Sequence, residues 1–448
     1  MLFWFYRSFV HLALELYPRN MHIYFSGIGG AGIGPLALIA KQAGYEVSGS
    51  DQQNSQYIDY LKKKGISNIH IGQSEEGIAK SHNDQPIDWF VYSSSIKTGH
   101  PELEYCTQQN IKTSKRDELI NQILKDKNLK MIAIAGTHGK TTTTAMVIWL
   151  FKQLGVPVSY SVGAKLSFGE MGQYEPESEF FVYEADEFDR NFLAFEPEIS
   201  LISGVSWDHH EIFPTREDYQ AAFQEFISQS NHTFIWQEDA DYLKLNSSEN
   251  LTVLDSNDQD IETLKIKGRY NRLDASLAMA GVWQATGTEP ENLAGFIDKF
   301  PGLSRRMEEI YPHLYSDYAH TPEKIRGAMS VALEMAKDSG KDLVVIYEPL
   351  TNRRQHYMID DYKDVFTGAS TLYWIPSYLA REDPDQRVIE PAEMIEHLDD
   401  PSIAQALNRD DELEKVIRNH LENGDMVVCM AGGGGGSLDD WLRERFKN

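Results

Sequence analysis

Short apolar runs bounded by glycine, proline or polar clusters alternate along this chain with longer segments whose apolar residues recur every three or four positions. From residue 21, HIYFS reads as a buried strand, 27–32 as a glycine turn, IGPLALIAKQAG as a helix and YEVSGSD as a second strand, with further strands at 68–71 and 88–94. A second unit begins with MIAIA at 131–135, turns through glycine and enters a helix after Lys140. Apolar strands follow within 180–189 and 198–213, each ending in acidic or imidazole residues, and 267–287 reads as a helix. A third unit offers strands at 313–317, 342–350, 371–375 and 425–430, with a helix from about Pro322. Strands alternating with helices in this way imply parallel sheets covered on both faces. The expected fold is therefore α/β with three domains: a Rossmann-like N-terminal domain at 21–127, a central phosphate-loop domain with a mostly parallel sheet at 128–305, and a Rossmann-like C-terminal domain at 306–448. The polar run 125–130 reads as a linker between the first two.

Length supports the same division, since 448 residues exceed one ordinary core and suggest about three. Acidic residues outnumber basic ones, 68 to 42, giving a net charge of −26. That argues against nucleic acid or an anionic membrane as a partner, so an anionic small substrate needs a local basic pocket. Two cysteines far apart, Cys106 and Cys429, suit a reducing, cytoplasmic setting without a disulfide framework. Residues 1–20 are aromatic and apolar but interrupted by Arg7, His11 and Glu15. They read as an N-terminal extension, either a mistaken start ahead of Met21 or an amphipathic helix, rather than as a membrane span.

The chemistry concentrates at glycine turns and strand ends. Gly136-Thr137-His138-Gly139-Lys140-Thr141-Thr142 places backbone N–H groups at a helix N-terminus, where an anion is favoured. Lys140 would reach a terminal phosphate and Thr141 a magnesium ion, although only two residues separate the first glycine from Gly-Lys where the ordinary pattern has four. Gly27, Gly29, Gly30 and Gly32, with Asp51 beyond the second strand, satisfy a dinucleotide fingerprint. A UDP-sugar carries a pyrophosphate as well, so this alone fits either a nicotinamide-dependent dehydrogenase or a UDP-sugar enzyme. Ser94 lies at a strand's carboxyl end, where such sheets bind ligands. Glu184, Asp186, Glu187, Asp208 and His209 end strands beside the phosphate loop and are candidate magnesium ligands. Asn271 and Asp274 share a helix face, for adenine recognition or for helix capping by Asn271; Arg305 and Arg306 offer a phosphate clamp. The five glycines 432–436 fit a ligand cradle or a flexible turn equally.

Taken in order, AGTHGKTTTT, EADEFD, WDHHEIF, GRYNRLDA and SDYAHTPEKI resemble the motifs of the Mur ligase family, whose shortened phosphate loop accounts for the two-residue spacing. The resemblance runs from about Met21 to the end of the chain. It implies ATP-dependent ligation of L-alanine to the carboxylate of UDP-N-acetylmuramate through an acyl phosphate, with ATP and Mg²⁺, in a monomer or homodimer. It further implies that residues 136–142 hold ATP phosphates with Arg306, that Asn271 contacts adenine and Asp317 the nucleotide ribose, and that Thr141, Glu184 and His209 serve magnesium. Tyr318, His320 and Arg353 would lie near the reacting groups, and Gly27, Gly29, Gly30, Gly32, Asp51 and Ser94 would hold the UDP-sugar. Lys140, Glu184, His209 and His320 carry the catalytic expectation. Glu348 to Arg353 depart from the family pattern by one residue and lack its histidine, which opens ligation of a different amino acid or of a murein tripeptide.

Overall fold

The computed structural model describes residues 20–93, 96–209, 212–379, 386–433 and 435–446. Expectations for Ser94 and for residues 1–19 of the N-terminal extension fall outside these residues. Within them, the strands form three sheets. The first contains β1 (His22–Ser26), β2 (Glu46–Asp51), β3 (Ile69–Ile71), β4 (Trp89–Tyr92) and β5 (Lys112–Lys115), all parallel, in the order β3-β2-β1-β4-β5. Strand order reverses between β1 and β4, so the loops leaving their carboxyl ends diverge and leave a crevice.

The second sheet comprises β6 (Lys130–Ala135), β7 (Val158–Ser161), β8 (Gly172–Gln173), β9 (Phe180–Glu184), β10 (Ile199–Ile202), β11 (His232–Trp236) and β12 (Leu251–Leu254). Its order is β12-β11-β10-β6-β9-β7-β8, with only β8 antiparallel to its neighbour. Strand β6 lies between β9 and β10, so the ends of three strands converge on the phosphate loop. The helix Lys140–Gln153 opens with four threonines, a poor helix-forming run. Packing rather than propensity stabilises it: Thr143 to Ile148, Leu150 and Phe151 are buried between the sheet and the helix Arg269–Thr286.

The third sheet, β13 (Glu308–Tyr311), β14 (Leu314–Asp317), β15 (Leu343–Glu348), β16 (Thr371–Trp374), β17 (Ala404–Ala406) and β18 (Met426–Ala431), has the order β13-β14-β18-β15-β16-β17. Only β13 runs antiparallel, in a hairpin with β14 that the charged sequence at 305–309 did not announce. Two local expectations are corrected. The polar run 125–130 is not a linker: a helix extends to Lys127, Asn128 ends it in the left-handed conformation (φ 53°), and β6 starts at Lys130. Asn271 does not cap its helix, because the chain enters through Gly268, whose φ of 87° suits glycine. The Asn271 side chain instead donates to the Lys267 carbonyl, 2.9 Å away.

Candidate active site

Strand β6 delivers the chain to Gly136 at φ 141°, and Gly139 at φ 80° turns it into the helix Lys140–Gln153. Neither position has room for a side chain. A Cβ on Gly136 would sit 2.7 Å from Ser203 Oγ, and one on Gly139 would sit 2.6 Å from Asp274 Oδ1. The helix has no side-chain cap, which leaves its first N–H groups for an anion. Thr137 is tied down, its hydroxyl donating to the Ser206 carbonyl and lying 2.7 Å from Tyr219 Oη. Ser203 Oγ donates to the His138 carbonyl. Burial, with Lys140 and Lys324 nearby, brings the His138 imidazole down to about 4, so it is neutral at pH 7.

Charge is arranged around this loop in pairs. Lys140 Nζ donates to Glu187 Oε2 at 2.7 Å and to the Gly136 carbonyl. Thr141 Oγ1 donates to Glu184 Oε1 at 2.9 Å, and the other oxygen of Glu184 accepts from Gly163 N. Hydroxyl and carboxylate oxygens side by side are the hard donors that magnesium takes, with phosphate and water completing its shell. Among the described residues no three His, Cys, Asp or Glu side chains form a metal cluster. By their donor chemistry, Thr141 and Glu184 fit the implied ion. His209 is turned toward Glu187, with Nε2 3.6 Å from Oε1 and its ring edge-on to Phe188. Burial works against charge on His209, but Glu187 and Asp208 outweigh it and raise its pKa. Thr142 is half-buried beside these groups.

The start of the third unit approaches the loop, near enough for the Lys324 charge to be felt at His138. Asp317 accepts from Met307 N and Ala319 N at 2.9 and 2.8 Å, so its carboxylate pins the hairpin entry. Arg305 and Arg306 both lie over the Tyr318 ring. His320 is buried, its Nδ1 2.8 Å from the Tyr318 carbonyl. That contact makes Nδ1 the donor and leaves Nε2 as acceptor. Burial, then Lys324, Arg354 and Arg306, depress its pKa well below the usual histidine value. A Cβ on Gly432 would meet His320 Cγ at 2.5 Å, and one on Gly433 would meet Tyr378. This part of the glycine run is a packed contact surface, not a flexible turn.

Two residues that the sequence did not single out, Lys324 and Arg354, meet here. Lys324 is brought down to about 8 by burial and by Arg306, Lys140 and Arg354, and no hydrogen bond or ion pair holds it among the described residues. Arg353 is exposed, whereas the charge of Arg354 is felt at His320 and Lys324. Asp274 is pushed up to about 8 by burial, opposed by Thr143 and Arg306, so it carries its proton at neutral pH beside Gly139. Glu348 is buried, paired with Arg409 at 2.8 Å and accepting from Leu438 N, so it anchors the loop that follows β15. A carboxylate within an EPLTNRR string gives no sign of such a distant partner.

A separate cleft of about 500 Å³ opens at the β1/β4 crossover, lined by Gly27, Gly30, Gly32, Asp51, Ser93 and residues of the second unit. Gly29 N donates to Asp51 Oδ2 at 2.9 Å, so Asp51 braces the glycine turn. Lys115 and Arg116, at the end of β5, also face this cleft.

A phosphate loop with paired carboxylates, a second cleft built on a glycine turn, and a third unit bringing cations toward the loop are the features of a multidomain α/β enzyme. The chain matches the catalytic domain of the Mur ligase family over residues 22–128, its middle domain over 134–279 and its glutamate ligase domain over 305–433. The chain belongs to the Mur ligase family and is an ATP-dependent amino-acid ligase. A UDP-N-acetylmuramate–L-alanine ligase of Agathobacter rectalis is 28% identical over 93% of this chain and 96% of its own length. A protein of that name from Thermobifida fusca is 28% identical over 92% and 93%. Among solved structures, a UDP-N-acetylmuramate–alanine ligase from Thermotoga maritima shares the fold with a TM-score of 0.73 at 23% identity, covering 95% of this chain and 98% of that one. A murein peptide ligase from Psychrobacter arcticus gives 0.61 at 22%, covering 96% and 99%. Among the described residues no helix is long and apolar enough to cross a membrane.

Proposed function

We propose that this chain joins L-alanine to the lactyl carboxylate of UDP-N-acetylmuramate in peptidoglycan precursor synthesis, consuming ATP. The observation that carries the reading is the Thr141–Glu184 contact beside Lys140 at the phosphate loop, taken with the names of the relatives that span the whole chain. Residues 136–142 hold the ATP phosphates. A magnesium ion at Thr141 and Glu184 would offset phosphate charge and orient the γ-phosphate. The sugar-nucleotide carboxylate attacks that phosphorus, the bond to ADP breaks, and an acyl phosphate forms. The amino group of alanine then attacks the acyl carbon, phosphate leaves, and the nitrogen loses a proton. Lys140, Arg306 and Lys324 stabilise the charge that develops on the transferred group, so catalysis is mainly positioning and electrostatics. His320, neutral and with Nε2 as an acceptor, orients the incoming amine. Asn271 contacts adenine, and the glycine turn after β1 holds the UDP pyrophosphate. His209 acts through Glu187. The protein works in the cytoplasm on small molecules, as a monomer or homodimer.

A second reading is favoured by one stretch: β15 ends on a structural Glu348 and the loop after it lacks the family's histidine, so that a murein tripeptide replaces alanine. Phosphate release from ATP, measured with UDP-N-acetylmuramate and a panel of amino acids and the tripeptide, decides. Alanine-dependent turnover supports the proposal, and tripeptide-only turnover selects the second reading. NADH consumption without ATP use refutes both.

A further inference from the structure

The acidic segment after β9 faces two places at once. Asp186 lines the first cleft, where its Oδ2 lies 3.3 Å from Arg116 Nη2, and Asp189 Oδ2 lies 2.5 Å from Nζ of Lys115, another residue of that lining. Between them, Glu187 points the other way, to Lys140 at 2.7 Å and His209 at 3.6 Å. Phe188 packs edge-on against the His209 ring. The two ends differ in strength. The Lys115–Asp189 pair is 42% and 35% exposed and the Arg116–Asp186 pair 23% and 39%, whereas Glu187 is 1% exposed. Partly exposed pairs are weaker and exchange more readily than the buried one. The segment also carries backbone strain, with Asp189 and Arg190 both at φ 56°.

Arg116 is placed to change partners. A Cβ on Gly32 would meet its Nη1 at 2.7 Å, so the guanidinium lies on the glycine turn where a diphosphate would approach. A diphosphate offers a guanidinium more charge and better geometry than one exposed carboxylate.

We propose that Lys115 and Arg116 are diphosphate-binding residues, and that Asp186 and Asp189 compete for them, so that ligand binding in the first cleft frees segment 186–189 and is felt at Lys140 through Glu187. The proposal rests on the sugar-nucleotide reading of that cleft. Binding in one cleft then alters nucleotide affinity in the other, and by linkage the reverse holds.

The test uses calorimetric titration of the full chain with UDP-N-acetylmuramate and, separately, inorganic pyrophosphate. Asp186→Asn/Asp189→Asn should bind both roughly 3- to 10-fold more tightly than the parent, and Arg116→Ala should bind both more weakly. Asp189→Asn alone should show part of the gain, and asparagine tolerates the left-handed conformation as aspartate does. A nonhydrolysable ATP analogue should change affinity when UDP-N-acetylmuramate is present in the parent and change less in the double variant. Unchanged or weaker binding in the double variant, equal coupling in both proteins, or no binding of either ligand overturns the proposal. If pyrophosphate follows the expected order and UDP-N-acetylmuramate does not bind, the exchange stands and the sugar-nucleotide reading fails.

Discussion

Replacing Lys140 with alanine separates two consequences of one side chain. Truncation strands Glu187, whose side chain is 1% exposed and 2.7 Å from the lysine nitrogen. Burial by itself raises the Glu187 pKa, yet the Lys140 charge and the His209 contact bring it from 4.5 down to about 2. A depression of that size corresponds to about 3 kcal/mol of folding free energy. Because the folded-state pKa lies below the unfolded one, this contribution is complete above pH 4.5 and is lost as pH falls towards 2. Lys140→Ala should therefore cost about 3 kcal/mol at pH 7, in line with other unpaired buried charges. The gap should narrow below pH 7 as the stranded carboxylate takes up a proton. Adding Glu187→Gln removes the stranded charge and should recover most of the stability while turnover stays lost. Urea unfolding followed by tryptophan fluorescence measures the first quantity, and ATP-dependent phosphate release the second. A single variant as stable as the parent at pH 7, or a double variant no more stable than the single, refutes the electrostatic argument. Near-normal turnover in the double variant refutes the role given to Lys140.

Other consequences follow from the same arrangement. Glu184→Gln and Thr141→Val should each lower kcat by about 100-fold or more while leaving UDP-N-acetylmuramate binding intact, because removing one transition-state contact costs a few kcal/mol; unchanged kcat in both variants would remove them from the magnesium assignment. Asp274, raised from 3.8 to about 8 by burial, destabilises the fold as pH climbs through that window, since the unfolded chain ionises first. Asp274→Asn should raise the melting temperature at pH 8 and flatten the decline between pH 4 and 8, and an identical pH dependence in the two proteins would contradict the assignment. Lys324, lowered to about 8, loses its charge at higher pH, so kcat/KM should fall on the alkaline side. Lys324→Arg keeps its charge there and should move that limb upward; an unmoved limb excludes Lys324 as its source.

Much of this protein was legible along the chain. Strands β1, β6, β9 and β15, the two glycine turns and the phosphate-loop lysine lie in contiguous runs, where periodicity and local backbone requirements leave their mark on neighbouring residues. Gly136 and Gly139 illustrate the limit of that signal. Sequence suggests a turn there, but the atoms forbidding a side chain, Ser203 Oγ and Asp274 Oδ1, come from 67 and 135 positions away. Strand β13, and with it the antiparallel pairing to β14, is not announced because charged residues at 305–309 mask its alternation.

Sequence by itself determined the order of the elements, the three α/β units and which polar residues end the strands, because these follow from local patterns and short spacings. Only the tertiary structure decided which charges meet. It gave Glu187 rather than Glu184 to Lys140, set Lys115 and Arg116 against Asp189 and Asp186, brought Lys324 and Arg354 toward the phosphate loop, and withdrew Glu348 into a buried pair with Arg409. Pairing between ionised groups depends on distance and burial, and neither quantity is encoded by separation along the chain.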